Sequence, residues 1–242
     1  MSNSESGESC YPDLAFITLT SSGYIDYTRN CIKSLKKCGV THPLQVYCVG
    51  REGYDKLRNE GHSHVEWIDN EKISGFHVFL QGHWGDITFQ KFVVIHQCLK
   101  KYKYVCFTDG DIVYENKDVL EYCMREIGDH DMLIQNDSNL MTDEDCNELC
   151  TGFMFIQCTP TTLRLFDPEL IAARRHNLNW NDQLCMNEIK HLFRYKVLPF
   201  ELFPNGQYYC HRGAKNPMMI HFNSRVGHAK RDTMEKYQKW YL

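Results

Sequence analysis

The sequence of 242 residues lacks any apolar run near the ~20 residues that span a bilayer. Its longest uncharged stretches, Phe92-Val93-Val94-Ile95 and Gly152-Phe153-Met154-Phe155-Ile156, fall far short, so no transmembrane anchor is expected. Residues 1–9 carry neither the cationic nor the apolar region of a secretory signal, which implies that the protein stays where it is made. There is no excess of positive charge: 27 Lys+Arg against 31 Asp+Glu leave a net charge of −4. No overall basic field therefore exists to hold nucleic acid or anionic lipid. With 15 Gly, 7 Pro, 43% hydrophobic and 24% charged residues, collagen-like, low-complexity and disordered chains are excluded. Walker loop, GxGxxG, HExxH and CxxC motifs are all missing.

Cysteine is plentiful, at 12 residues, but without metal-binding order. Cys48, Cys106 and Cys158 lie in or beside apolar runs, where a free thiol behaves as a small hydrophobe. Cys146-x3-Cys150 and Cys210-His211 are the only close pairings, and neither has zinc-ligand spacing. Reduced thiols in a cytoplasmic protein are the expectation.

No linker, repeat or composition break divides the chain, so a polar tail over 1–12 and one folded unit over 13–242 are expected. Leu14-Ala15-Phe16-Ile17-Thr18-Leu19-Thr20 has the pattern of a strand buried on both faces. Ile25, Thr28, Cys31, Ile32, Leu35 and Cys38 then recur at helical spacing, with Lys36-Lys37 in the last turn and Gly39 as the stop. The pattern repeats through strands at 44–49, 65–68 and 104–107, the last preceded by a helical stripe of Phe89, Phe92, Val93, His96 and Leu99. Strands alternating with helices predict an α/β fold with a mixed, mostly parallel sheet covered on both sides. Later strands are expected at 131–135, 152–157, 195–198 and 218–222. Helices are expected from Thr159-Pro160 to Leu165, from Trp180 to about Phe193, and from Ala229 to Tyr241.

The chemistry concentrates in Tyr104-Val105-Cys106-Phe107-Thr108-Asp109-Gly110-Asp111. A hydrophobic strand delivers two carboxylates to its C-terminal end, and in extended chain such i, i+2 side chains share a face about 7 Å apart. Both can then serve one hard cation, Mn²⁺ or Mg²⁺, that also binds phosphate oxygens. Gly110 between them is expected to let a ligand approach the backbone closely. His221, within an apolar strand, would add a nitrogen ligand and tilt preference toward Mn²⁺. Lys230 is placed to neutralise phosphate charge beside the metal. Asp137, in Gln135-Asn136-Asp137-Ser138, is a second carboxylate suited to orienting sugar hydroxyls. Trp84, Trp180, Tyr208 and Tyr209 lie in polar, Gly/Asn-rich surroundings where a sugar face can stack. The glycine-rich stretch over 75–85 reads as a loop able to close over a donor.

Five segments occur together in a telling order: Asp109-Gly110-Asp111-Ile112-Val113, Gly152-Phe153-Met154-Phe155-Ile156 with Thr159-Pro160, Trp180-Asn181-Asp182-Gln183, Leu202-Phe203-Pro204-Asn205-Gly206, and Ile220-His221-Phe222-Asn223 with Gly227 and Lys230. In this the chain resembles the nucleotide-diphospho-sugar transferases, in the group that includes plant cell-wall xylosyl- and arabinosyltransferases. The resemblance implies a GT-A fold, a divalent metal on the Asp-x-Asp motif, and transfer from a nucleoside-diphosphate sugar, in particular a UDP-sugar, to a glycan or glycoconjugate hydroxyl with retention of configuration. It implies Asp111 as principal metal ligand, with Asp109 on the metal or the ribose and His221 as third ligand. Asp182 and Gln183 would lie at the reacting sugar, and Thr18, Thr20 and Tyr24 at the nucleoside base. Lys91 would reach the diphosphate, and Gly152 would line the donor site. Residues 13–111 would form the nucleotide-binding half and 112–242 the sugar- and acceptor-binding half.

Two other readings compete. A sugar-phosphate nucleotidyltransferase shares a similar core but needs a Gly-rich, Arg-containing phosphate loop after the first strand, which Thr20-Ser21-Ser22-Gly23-Tyr24 is not. A catalytically inactive carbohydrate-binding module would have no need of Asp109, Asp111 and His221 together.

Overall fold

The computed structural model describes residues 11–75, 77, 82–139, 141–143, 148–175 and 180–242. The tail over 1–10, Cys146 and part of the 75–85 loop lie outside them. Strand β1 (Leu14–Ser21) leads into helix α1 (Ile25–Cys38), then β2 (Gln45–Val49), α2 (Arg51–Asn59) and β3 (Val65–Ile68). Helix α3 (Trp84–Leu99) feeds β4 (Tyr104–Thr108), followed by the short β5 (Ile112–Tyr114), α4 (Val119–Glu126), β6 (Met132–Asn136) and β7 (Leu149–Gln157). Helices α5 (Pro160–Leu165), α6 (Pro168–Arg174) and α7 (Asp182–Ile189) follow. The chain ends through β8 (Tyr195–Leu198), α8 (Gly206–Arg212), β9 (Met219–His221) and α9 (His228–Lys236).

The central sheet has seven strands in the order β3-β2-β1-β4-β7-β6-β8. It is mostly parallel, with β7 running against both β4 and β6. Apolar runs become strands buried on both faces because alternate side chains supply two cores. In β1, Ala15 and Ile17 pack beneath α3 and α7, while Leu14 and Phe16 face α1 and α4. β4 and β7 divide in the same way, Val105, Phe107, Met154 and Ile156 against Cys106, Phe153 and Phe155. The ten cysteines described are free thiols, and most are buried in these cores as small hydrophobes.

Three expectations are corrected. The strand around Ile220 leaves the central sheet and pairs antiparallel with β5, so Ile112 faces His221. The last helix stops at Lys236, because Gln238 adopts φ 58° and the Asn30 side chain takes over the backbone, donating to Lys239 O and accepting from Tyr241 N. The helix after Trp180 starts at Asp182 behind an Asn181 cap and gives way to a 3₁₀ turn at Lys190–Leu192. The capping box at Thr159, with Pro160 in the first turn, starts α5 where the sequence pattern puts it.

Among the described residues no helix is long and apolar enough to cross a membrane.

Candidate active site

Beyond the C-terminal ends of β1 and β4 lies a cavity of about 420 Å³. Such crevices are where open α/β sheets bind ligands. Asp109 and Asp111 reach it from a turn, not from extended chain: Ile112 N–H donates to Asp109 O, and Asp109 N–H donates to Gly152 O at 2.7 Å. The turn folds the two carboxylates toward each other. Gly110 lines the cavity and also faces Thr28 of α1, which a side chain at 110 would strike, so its small size serves helix packing as well.

His221 arrives on β9 and completes the group. One atom each from Asp109, Asp111 and His221 lie within 4.8 Å of one another, the only such His/Cys/Asp/Glu cluster among the described residues. Nε2 of His221 stands 3.2 Å from Asp111 Oδ1 and 3.8 Å from Asp109 Oδ2. Its Nδ1 meets Gln135 Oε1 at 2.7 Å. Gln135 donates its amide to Phe203 O, which can only accept, so its oxygen must face the ring and Nδ1 must carry the hydrogen. This outer hydrogen bond leaves Nε2 turned to the carboxylates, the arrangement that supports a metal-ligating histidine. Two hard oxygens and an imidazole nitrogen form a donor set suited to Mn²⁺ or Mg²⁺.

Two lysines flank the cluster, both buried although each also reads as a solvated helix residue. Lys230 of α9 pairs with Asp111 Oδ2 and lies over the rings of Tyr24 and Tyr27, 5.4 and 5.7 Å from their centres. Lys91 of α3 reaches Asp109 Oδ1 at 3.1 Å, Asp182 Oδ2 at 2.5 Å and Thr151 O at 3.3 Å. A lysine has three N–H donors. All three of Lys91 are thus committed inside the protein, and the expected reach to a diphosphate is not what the structure displays.

These neighbours move the carboxylates apart electrostatically. Burial alone would raise Asp111, but the Lys230 ammonium and the His221 ring more than offset it and hold the carboxyl far below its usual range. Asp109 goes the other way: burial raises it, Lys91 opposes, and the neighbouring Asp111 and Asp182 charges add to the rise. Burial would lower both lysines, yet their carboxylate partners push them upward and keep them charged.

Asp182 sits in the first turn of α7, where the helix dipole favours an acid. Its Oδ2 accepts from both Lys91 and the Thr151 hydroxyl, the latter at 2.6 Å. Gln183 beside it donates to Asp137 Oδ2 at 3.0 Å, while Asn205 and Asn223 donate to Asp137 Oδ1 at 2.8 and 2.9 Å. Asp137 is therefore held by three amides at the cavity wall. On the opposite side Leu19, Thr20, Ser21 and Tyr24 line the cavity. Thr18 does not: β1 continues to Ser21, and Thr18 is fully buried in register with Thr108.

Gly152 lines the cavity, but its more evident task is spatial. A side chain there would lie 2.8 Å from both ring nitrogens of His221. Among the four aromatics expected to stack on sugar, Trp84 lines the cavity. Trp180 packs on Phe89 and Phe92, Tyr208 stacks on Phe200 and Tyr209 meets Phe222, so these three belong to packing. The residues that sequence reading passed over, Gln135, Thr151, Asn205 and Asn223, act through hydrogen bonds to residues it did single out. Asn205 and Asn223 lie inside the quoted motifs, so a signal was present there.

The sheet ends in a cavity that gathers two aspartates, a histidine and two buried lysines, groups suited to a cation and an anionic ligand. The comparisons agree: the profile of the nucleotide-diphospho-sugar transferases matches residues 40–234, and the chain belongs to that family. It is 24% identical over 270 residues to a UDP-galactose:fucoside alpha-3-galactosyltransferase of Dictyostelium discoideum, covering 91% of this chain and 42% of that protein. The chain thus spans less than half the length of this relative. Among solved structures, the galactosyltransferase LgtC superposes with a TM-score of 0.63 at 14% identity, covering 94% of this chain and 96% of that one. Mouse xyloside xylosyltransferase 1 gives a TM-score of 0.57 at 14% identity, covering 88% of this chain and 100% of that one.

Proposed function

We propose that the protein is a metal-dependent glycosyltransferase that moves a sugar from a UDP-sugar to a hydroxyl of a glycan or glycoconjugate, with retention of configuration. The observation that carries this reading is the convergence of Asp109, Asp111 and His221 at the mouth of β4, with Gln135 fixing the ring. Asp111, Asp109 and His221 would hold Mn²⁺ or Mg²⁺; when bound, it supplies positive charge to the leaving diphosphate. Thr20 and Tyr24 are assigned to the nucleoside side of the cavity. Lys230 is assigned to the diphosphate, since Asp111 leaves it N–H donors to spare. Asp182 stands ready to stabilise positive charge on the sugar carbon as the bond to the leaving group breaks. Gln183 and Asp137 would orient sugar hydroxyls.

In this reading residues 13–111 carry most of the nucleotide contacts and 112–242 the sugar and acceptor contacts, with His221 and Lys230 reaching back across. The relative's name, a UDP-galactose:fucoside transferase, supports a UDP-sugar donor and a glycoside acceptor. A reducing cytosol is the proposed compartment, supported by the cysteines packed as thiols in the apolar core.

Calorimetry with UDP, with and without Mn²⁺, tests the reading. UDP binding that needs Mn²⁺ and disappears in Asp111→Ala is expected; tight glycan binding indifferent to metal would point to a binding module instead. UDP release across a panel of UDP-sugars then identifies the donor, and NMR of the product tests retention.

A further inference from the structure

Helix α9 carries Lys230 into the site. Met234 anchors its middle in a small core with Val113, Ile220 and Phe222, but neither end is fixed by α9 itself. It starts at Gly227, whose φ of 55° suits glycine and which has no side chain to cap the helix. What holds the two ends comes from α1. The Tyr27 hydroxyl donates to Gly227 O at 2.9 Å, the same carbonyl that accepts from Lys230 N–H in the first turn. Three residues further along α1, the fully buried Asn30 donates to Lys239 O at 2.9 Å and accepts from Tyr241 N–H at 2.6 Å. Trp240, between these two backbone contacts, meets the Tyr27 ring edge to face, 5.5 Å between centres. Lys33 then donates to Tyr241 O, and Lys37 lies 4.2 Å from the centre of the Tyr241 ring.

We propose that Tyr27 and Asn30 are positioning residues for Lys230: α1 pins the start of α9 through Gly227 and clamps the chain leaving it at 239–241, and this double hold keeps the ammonium against Asp111. The need for a hold is energetic. A buried ammonium has lost its hydration, and its four-carbon stem would return it to water if α9 tilted away. Asp111 and the rings of Tyr24 and Tyr27 compensate only while the helix stays in place. Tyr27 thus acts twice, as a ring near the ammonium and as a hydroxyl on the carbonyl that precedes the helix. The proposal rests on the assignment of Lys230 to the donor diphosphate, and goes beyond it by naming residues outside the cavity lining that make the lysine available there.

Two readouts on the full chain test it. The first is acylation of lysines by an amine-reactive ester, read by peptide mass spectrometry, on the parent, Tyr27→Phe and Asn30→Ala. One net hydrogen bond corresponds to about a fivefold change in a local opening equilibrium. Lys230 should therefore react about fivefold faster in Tyr27→Phe and roughly 25-fold faster in Asn30→Ala, which loses two bonds. The similarly buried Lys91 should keep its parent rate. The second readout is UDP affinity in the presence of Mn²⁺, by calorimetry. Each variant should bind UDP about fivefold more weakly or worse, and the same substitution made in Lys230→Met should cost nothing further. A merely structural role would lower affinity equally in both backgrounds. The inference falls if Lys230 keeps its parent rate in the folded variants, if Lys91 reacts alongside it, or if UDP affinity is unchanged or falls equally with and without Lys230. Tyr27→Phe removes one oxygen and keeps the ring packing, so the test survives if Asn30→Ala fails to fold. A parent that binds no UDP defeats the functional reading instead, and acylation then decides the positioning role alone.

Discussion

The imidazole of His221 occupies the volume that a side chain at Gly152 would need, with both ring nitrogens 2.8 Å from where that Cβ would be. β7 and β9 belong to different sheets, and this missing side chain is what lets the ring of one lie against the backbone of the other. Gly152→Ala should therefore displace His221 from the two aspartates while leaving the rest of β7 in register. Mn²⁺ affinity should fall by about 10- to 100-fold, the scale of losing support around a metal ligand. Calorimetry on the folded variant checks it, and unaltered affinity would show that the ring can move without consequence.

Asp111→Asn removes both a cation ligand and the partner of Lys230. Activity should fall at least several hundredfold, as for loss of one preorganised electrostatic contact of ~3 to 4 kcal/mol. Stability should drop as well, by about 3–5 kcal/mol, because an ammonium is left buried without its carboxylate. Denaturant melts of the metal-free protein separate the two effects. If the variant is inactive yet as stable as the parent, Lys230 has found another partner.

Asp182→Asn keeps the shape of the side chain and its contact with Thr151 while removing the charge facing Lys91. The prediction is a loss of about 100-fold or more in kcat with a smaller change in donor KM, since the charge is needed most when the sugar carbon becomes positive. Steady-state kinetics decide it. A rise in KM alone would move Asp182 from the reacting carbon to ground-state binding.

Much of this site is written in local pattern. The strands β1, β4 and β7 are continuous apolar runs, the aspartates follow β4 directly, and Thr159-Pro160 announces α5. What escapes sequence reading is set by distant partners. β5 has only three residues and takes its strand identity from β9, more than a hundred residues later. Lys91 and Lys230 look like solvated helix residues until the fold brings Asp109, Asp182 and Asp111 against them. Asp137 resembles a turn residue, and only the convergence of Gln183, Asn205 and Asn223 makes it a held carboxylate.

The core thiols should be inert in the native protein. Burial pushes Cys48 and Cys185 up to about 12, so neither offers thiolate near neutral pH. Iodoacetamide labelling of the native chain, read by peptide mass spectrometry, should spare Cys31, Cys48, Cys106, Cys123 and Cys185. The half-buried Cys38, Cys158 and Cys210 should react ahead of them. Denaturant should expose them all, and fast native labelling of Cys48 or Cys185 would mean that the β2 or α7 packing opens readily.

The opposite shifts of the two aspartates predict how metal binding responds to pH. Asp109 is raised by burial and by neighbouring carboxylates, so the folded protein takes up this proton more readily than an unfolded chain does. Its contribution favours the folded state at low pH and is lost as pH rises through the folded value. Asp111, held low by Lys230 and His221 against the opposing effect of burial, behaves oppositely: its stabilisation is present above the ordinary carboxylate range and is lost only as pH falls through its depressed value. A cation must displace the Asp109 proton first. Mn²⁺ affinity should therefore begin to fall above the ordinary carboxylate range, by up to about tenfold per pH unit, while the Asp111–Lys230 pair remains intact. Calorimetry over descending pH from neutrality measures the slope, with Asp109→Asn as the control that should bind more weakly and show a shallower dependence. A parent protein with a flat profile across that window would show that Lys91 neutralises Asp109 more completely than its burial destabilises it.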